Sequence, residues 1–256
     1  MTNEDILRIA MEQSAIDLNC RVEDFSADEP IMVLSRPHPD ARVYLKYPIE
    51  CNLVSYGNNV VASVLPEFWD IVDGYVRNYP TANLMETPHL HMLEQAFLPY
   101  GLSICFMAEY FLPDIKQLKP LACPYELRLL GPKDFSDLYL PEWSNALCEK
   151  RKERDVIAMG AYDHGRLIGL AGASADCDTM WQIGIDVLPT HRRQGVASAL
   201  TSSLALAILE RGKVPFYCCA WCNIPSARNA IRSGFRPAWN EMTVRPKSLV
   251  DQLNMV

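Results

Sequence analysis

The chain has 256 residues, 49% of them apolar, and a formal net charge of −7. That much apolar side chain excludes a disordered or low-complexity protein. No Lys/Arg run exceeds three residues, so the basic stripe of a nucleic-acid binder is missing. No stretch approaches the ~18 apolar residues of a membrane span. The opening MTNEDILRIAMEQ is acidic and amphipathic, unlike a basic, then apolar, leader. Nine cysteines, an odd number, read as reduced thiols. The expectation is a cytoplasmic protein without nucleic-acid or membrane partners, its acidity favouring cationic acceptors at long range.

In chain order, Ile6, Ile9, Ala10, Met11 and Ala15 mark an amphipathic helix over residues 3–18. β-rich runs follow at 42–47 and 53–65, the second turned by Gly57-Asn58-Asn59. Helices are expected at 66–77 and 88–97, and a buried strand at 102–111. The segment 112–125 holds Pro113, Pro120 and Pro124, each removing a backbone donor, and is the expected boundary. It divides a smaller α+β domain, residues 1–120, from a second domain, 124–256.

The second domain reads as a strand at 125–130, a mostly helical stretch at 134–150 broken by Pro141, and strands 156–162 and 166–173 around the turn Asp163-His164-Gly165. Strand 181–187, helix 193–211, strand 214–221, helix 225–233 and strand 235–244 complete it. Val196, Ala199, Leu200, Ser203, Leu204, Ala207 and Ile208 form one continuous helical stripe, and Gly212 marks its end. Cys218, Cys219 and Cys222 read as core thiols, because zinc wants four spaced ligands. Trp181 and Trp221 read as core or pocket walls, and the scattered histidines suggest no metal site.

The chemistry concentrates where strand 181–187 meets the long helix. Ile185-Asp186-Val187-Leu188-Pro189-Thr190-His191-Arg192-Arg193-Gln194-Gly195-Val196-Ala197-Ser198 is a strand, a proline turn, two cations, then a helix opening on small residues. Unpaired N–H groups and a positive dipole end suit a phosphate there. Gly195 and Ala197 let it approach the backbone, and Arg192 and Arg193 add forked donors.

The run Val187-x-Pro189-x-x-Arg192-x-x-Gly195-x-Ala197 resembles the acyl-CoA signature (Q/R)-x-x-G-x-(G/A) of the GCN5-related N-acetyltransferase superfamily. Asn223-x-x-Ser226 with Gly234-Phe235 resembles that family's second motif. The resemblance covers about residues 124–244 and implies a mixed α+β fold, a mostly antiparallel twisted sheet with flanking helices. It implies acetyl-CoA as co-substrate and transfer of acetyl to an amine of a small molecule or peptide by direct attack. By the same resemblance, the backbone of Ile185 and Val187 would pair with the pantetheine arm, and the amides of Arg193, Gln194, Gly195, Val196, Ala197 and Ser198 would hold the pyrophosphate, helped by the side chains of Arg192 and Arg193. Asn223 and Ser226 would meet the pantetheine or acyl end. Strands 181–187 and 214–221 would splay to admit the arm.

The sequence departs from the family at two positions. Ala230 stands where members often carry a tyrosine acid, and Trp181 where some carry a glutamate base. The acid then falls to Ser226, Cys222 or water, and the base to Asp186 or Glu142. Two alternatives stay open: a CoA-binding regulatory module without turnover, and a transferase of a longer acyl group. The first domain is expected to shape the acceptor site or to make a homodimer interface.

Overall fold

The computed structural model of the protein describes residues 1–255. The chain runs α1 (Asn3–Leu18), β1 (Ile31–Leu34), β2 (Cys51–Ser55), β3 (Val60–Val64), α2 (Trp69–Asn78), α3 (Thr87–Phe97) and β4 (Leu102–Pro113). It continues as β5 (Glu126–Leu130), β6 (Asp155–Asp163), β7 (Arg166–Ser174), β8 (Met180–Val187), α4 (Val196–Leu209), β9 (Val214–Ala220), α5 (Ile224–Arg232), β10 (Phe235–Pro246) and α6 (Lys247–Asn254). Two compact units result: Met1–Ala10 with Tyr110–Pro237, and Met11–Glu109 with the residues from Ala238 onward.

The division differs from the expected one at 120/124. Within the second unit, residues 240–244 of β10 pair antiparallel with β2, so the end of the chain completes a sheet begun near residue 51. Proline content marked a candidate boundary, whereas long-range strand pairing decides which residues fold together. In this unit β2 and β3 form the expected hairpin, and β1 adds to β3 in parallel. Leu53, Val64, Val72, Leu93, Phe97 and Met242 are among its core. The expected strand at 42–47 is instead a short 3-10 turn, Val43–Leu45. The cause is Arg42, whose amide and Nε both donate to the buried Asp17 carboxylate, which takes the backbone out of strand pairing.

In the first unit β5, β6, β7 and β8 form an antiparallel meander, and β9 joins β8 in parallel after the α4 crossover. Such a crossover is the usual way to join parallel neighbours. The expected stripe on α4 is buried at Val196, Ala199, Leu200, Leu204, Ala207 and Ile208, with Ser203 half-buried at its edge. It packs with Ile168, Ala171 and Ile183 into one core, where a Leu→Ala change costs about 2–5 kcal/mol.

The segment 134–150 is not the helix expected. It is a run of turns with one 3-10 turn at Pro141–Trp143, followed by another at Glu149–Arg154. Pro141 supplies no donor, and the N–H groups of Asn145 and Ala146 go to the Asp186 carboxylate instead of to carbonyls one helical turn back. Trp181 packs partly buried against the core, but Trp221 is 58% exposed and walls nothing. All the cysteines are free thiols; Cys219 is buried, Cys218 half-buried and Cys222 exposed, so the core reading holds for Cys219 alone.

Candidate active site

Strands β8 and β9 pair from Met180↔Val214 to Ile183↔Tyr217 and then part, although β8 continues to Val187 and β9 to Ala220. The far end of β8 stays with β7, Val187 opposite Gly169, so it does not follow β9. The divergence opens a cleft of about 980 Å³ bordered by both strands, the start of α4 and one face of α5.

The ladder between β7 and β8 fixes which backbone groups enter this cleft. Leu188 N–H donates to the Ile168 carbonyl at 2.9 Å. Hydrogen-bonded pairs alternate in an antiparallel ladder, so Asp186 bonds Leu170, while Ile185 and Val187 turn their N–H and C=O groups toward the gap. The Val187 carbonyl is already taken, by Arg192 Nε at 2.9 Å. Of the two residues expected to meet an extended arm, Ile185 therefore offers both groups and Val187 its N–H.

At the other end of the cleft, Gly195 precedes α4 with φ +82°, and a Cβ built there would touch nothing within 4 Å. Gly195 has no side chain to cap the helix, so the N–H groups of Val196, Ala197 and Ser198 point outward uncapped. Glycine adopts the left-handed turn without strain and leaves the space in front of those amides open. The Val196 side chain is buried in the core, leaving only its amide to the cleft. Ser198 Oγ donates to Asn229 Oδ1 at 3.0 Å, which commits its hydroxyl to α5. Arg192 and Arg193 both line the cleft. Gln194 does not: Tyr125 Oη donates to its Oε1 at 2.6 Å and its Nε2 donates to the Thr190 carbonyl.

Where the strands part, the Tyr217 hydroxyl lies 2.7 Å from Ser226 Oγ. Both residues line the cleft. Asn223 Oδ1 caps α5 by accepting from the Ser226 amide at 3.2 Å, which fixes the serine's position. Burial pushes the Tyr217 phenol above its usual range, so it keeps its proton at neutral pH. Tyr217 was not among the residues expected from sequence. In the string Phe216-Tyr217-Cys218-Cys219 it reads as one more core aromatic, and only the end of the β8–β9 pairing reveals its position.

The proposed bases fare differently. Asp186 borders the cleft, but its carboxylate accepts from the Asn145 amide (2.8 Å), Asn145 Nδ2 (2.7 Å) and the Ala146 amide (3.0 Å). It is an anchor for that segment. Glu142 is exposed on the Pro141–Trp143 turn and does not border the cleft. Alternation along β8 places Gln182, Gly184 and Asp186 on the face away from α4, where Gln182 Nε2 donates to Cys218 Sγ at 3.1 Å. Ile183, Ile185 and Val187 face the α4 core.

Residues 159–244 match the family described as FR47-like protein. No curated protein matches the chain. Solved structures similar to it include an acetyltransferase of the GNAT family from Novosphingobium aromaticivorans, 19% identical, covering 56% of this chain and 66% of that one, with a TM-score of 0.44. A GCN5-related N-acetyltransferase-like protein from Streptococcus suis is 19% identical over 60% of this chain and 69% of that one, TM-score 0.44. An aminoglycoside N-acetyltransferase in complex with CoA is 20% identical over 47% of this chain and 93% of that one, TM-score 0.36. The chain thus spans about two thirds of the first two proteins' length. Residues 159–244, which carry both motifs, are thus similar to the FR47-like family.

Proposed function

We propose that the protein is an acyl-CoA-dependent N-acetyltransferase that moves acetyl from acetyl-CoA to a primary amine of a small molecule or peptide. The observation that carries this reading is the parting of β8 and β9 at Ile183/Tyr217 in line with the uncapped start of α4. One extended arm fits between the strands while its diphosphate meets main-chain N–H groups. The cradle at Gly195, free of any contact a Cβ would make, fits such a group.

In this reading Ile185 holds the pantetheine arm by its backbone. The amides of Val196, Ala197 and Ser198, with the Arg193 side chain and the outer nitrogens of Arg192, hold the diphosphate. The acceptor approaches the face of β8 that carries Gln182, and its nitrogen attacks the thioester carbon in neutral form. A lysine-type amine, pKa ~10.4, must first give a proton to water. Backbone N–H groups of β8 stabilise the oxyanion. As the C–N bond forms and the C–S bond breaks, the leaving thiolate takes a proton from the Tyr217–Ser226 hydroxyl pair, the attacking nitrogen gives up its own N–H proton to water, which restores that pair, and an amide and free CoA result.

The test is calorimetric binding of CoA together with thiol release from acetyl-CoA over a panel of amines. Binding with amine-dependent release supports the proposal. Binding without release for any amine supports the non-catalytic module instead, and faster release from longer thioesters supports a transferase of a longer acyl group. No heat with CoA removes the reading altogether.

A further inference from the structure

The apolar core of the second unit takes one face of its sheet, through Cys51, Leu53, Ala62, Val64, Met242 and Val244. Alternation turns their neighbours to the opposite face, and there the buried residues are polar. Ser63 on β3, Asn52 on β2 and Thr243 on β10 stand directly opposite one another in a row across three strands. Side chains so paired have Cβ atoms about 4.5–5.5 Å apart. Glu241 lies two positions before Thr243 on the same face, and all four residues are more than nine-tenths buried.

Each of the four leaves an oxygen without a hydrogen-bond partner among the described residues: Ser63 Oγ, Asn52 Oδ1, Thr243 Oγ1 and Glu241 Oε2. The Asn52 amide is held one way round. Its Nδ2 donates to Tyr47 Oη and to Glu241 Oε1, each at 2.8 Å, and a reversed amide would set oxygen against carboxylate. Its Oδ1 is therefore the atom left over. Buried polar atoms are ordinarily met, and four on one patch call for an occupant.

The patch also carries an excess of carboxylate. One guanidinium, that of Arg42, is shared by Asp17 and Glu241, all three buried, so formally two negative charges face one positive. Glu50 and Arg245 nearby pair with each other and leave the excess as it is. Water would meet the oxygens and leave the charge, and a proton on a carboxylate would settle the charge and leave the hydroxyls and Asn52. A small monovalent cation does both, because hard cations take carbonyl, hydroxyl and carboxylate oxygens and a buried charge needs its counterpart. A divalent or transition metal wants a denser donor set, and no group of three His, Cys, Asp or Glu that could hold one occurs among the described residues.

We propose that Ser63, Asn52, Thr243 and Glu241 form an internal site for a monovalent cation (sodium, potassium or ammonium, which share this chemistry) that fastens β3, β2 and β10 together. It rests on none of the cleft chemistry. The experiment follows thermal unfolding of the full chain in sodium, potassium, ammonium and choline chloride at one ionic strength, for the wild type and for the Ser63→Ala/Thr243→Val double variant.

The wild type should melt about 3–6 °C higher in the preferred small cation than in choline, with a dependence on its concentration that saturates. The salt that gives the largest shift names the occupant. The double variant should melt at one temperature in every salt. Equal wild-type melting throughout overturns the site and leaves the row to internal water. A variant that keeps the cation dependence overturns it too, because the ion then binds elsewhere. Should the variant not fold, wild-type crystals soaked in thallium(I) decide: an anomalous peak beside Asn52 Oδ1 supports the site, and no peak there overturns it.

Discussion

Asp186 holds Asn145 at two points, accepting from its backbone amide and from its side-chain Nδ2, while the Asn145 carbonyl lies where a Cβ on Gly184 would be, 1.8 Å away. A strand residue and its neighbour two positions back thus clamp one loop onto the sheet. The carboxylate that sequence suggested as a base is a fastener.

Asp186→Asn keeps the shape but loses an acceptor for one amide. It should cost about 1–2 kcal/mol, read as a lower urea midpoint. The pH dependence of the transfer rate should keep its form, whereas a base at this position would take the main rate-limiting ionisation with it. Glu142→Gln should leave both stability and rate as they are, since that side chain points into solvent off the cleft.

Two glycines should separate by phenotype. Gly184→Ala drives a methyl into the Asn145 carbonyl, with backbone on both sides, and should destabilise by about 1–3 kcal/mol or more. Gly195→Ala meets no atom, so only its φ of +82° opposes it, at a cost of about 1–2 kcal/mol. Its methyl occupies the approach to the α4 amides, and CoA affinity should fall by at least about tenfold. Melting curves and calorimetry on the two variants read the contrast.

Tyr217→Phe removes the phenol and leaves its ring packed among Phe111 and Phe235. The turnover rate should fall by roughly 10²-fold or more with the Kd for CoA nearly unchanged. An equal effect on binding and turnover would assign the hydroxyl to packing instead. Ser226→Ala should give a smaller loss in the same direction, because it is the phenol's partner at 2.7 Å.

The second unit should weaken in alkali. Burial raises Cys20 to about 12 and pushes Cys51 up from the usual thiol value of 9.0. Burial likewise raises Tyr47 and Tyr56 above the usual phenol value of 10.0. Each folded-state value is raised, so the native chain holds these protons more tightly than the unfolded one. The associated stability is full below 9.0 and is lost as pH climbs through the raised values. Urea midpoints should be level up to that point and decline above it. A midpoint that rises with alkali contradicts this assignment.

How much of this was legible follows from the range of the interactions. The α4 stripe, the β6–β7 hairpin and the Gly195 turn depend on neighbours within a few residues, and local pattern sufficed for them. Segment 134–150 looked helical because its own residues permit a helix, but its amide partner, Asp186, lies 41 residues away from Asn145. Arg42 left strand geometry for Asp17, 25 residues back. Tyr217 became a cleft residue only through where β8 and β9 cease to pair. Gln194 fitted the motif by position, yet its side chain is drawn off by Tyr125, 69 residues upstream.

The parted ends of β8 and β9 are a sheet edge turned inward, with room for the width of one strand. Amides that would be protected in a central strand are left there to exchange with solvent, so the hydrogens on Ile185 and Val187 should be replaced faster than those on Leu170 and Asp186, whose partners are supplied by the chain itself. A guest lying in the gap closes that edge. The local rigidity of this half of the sheet is then a property the protein shares with whatever it holds, slow exchange when loaded and fast when empty.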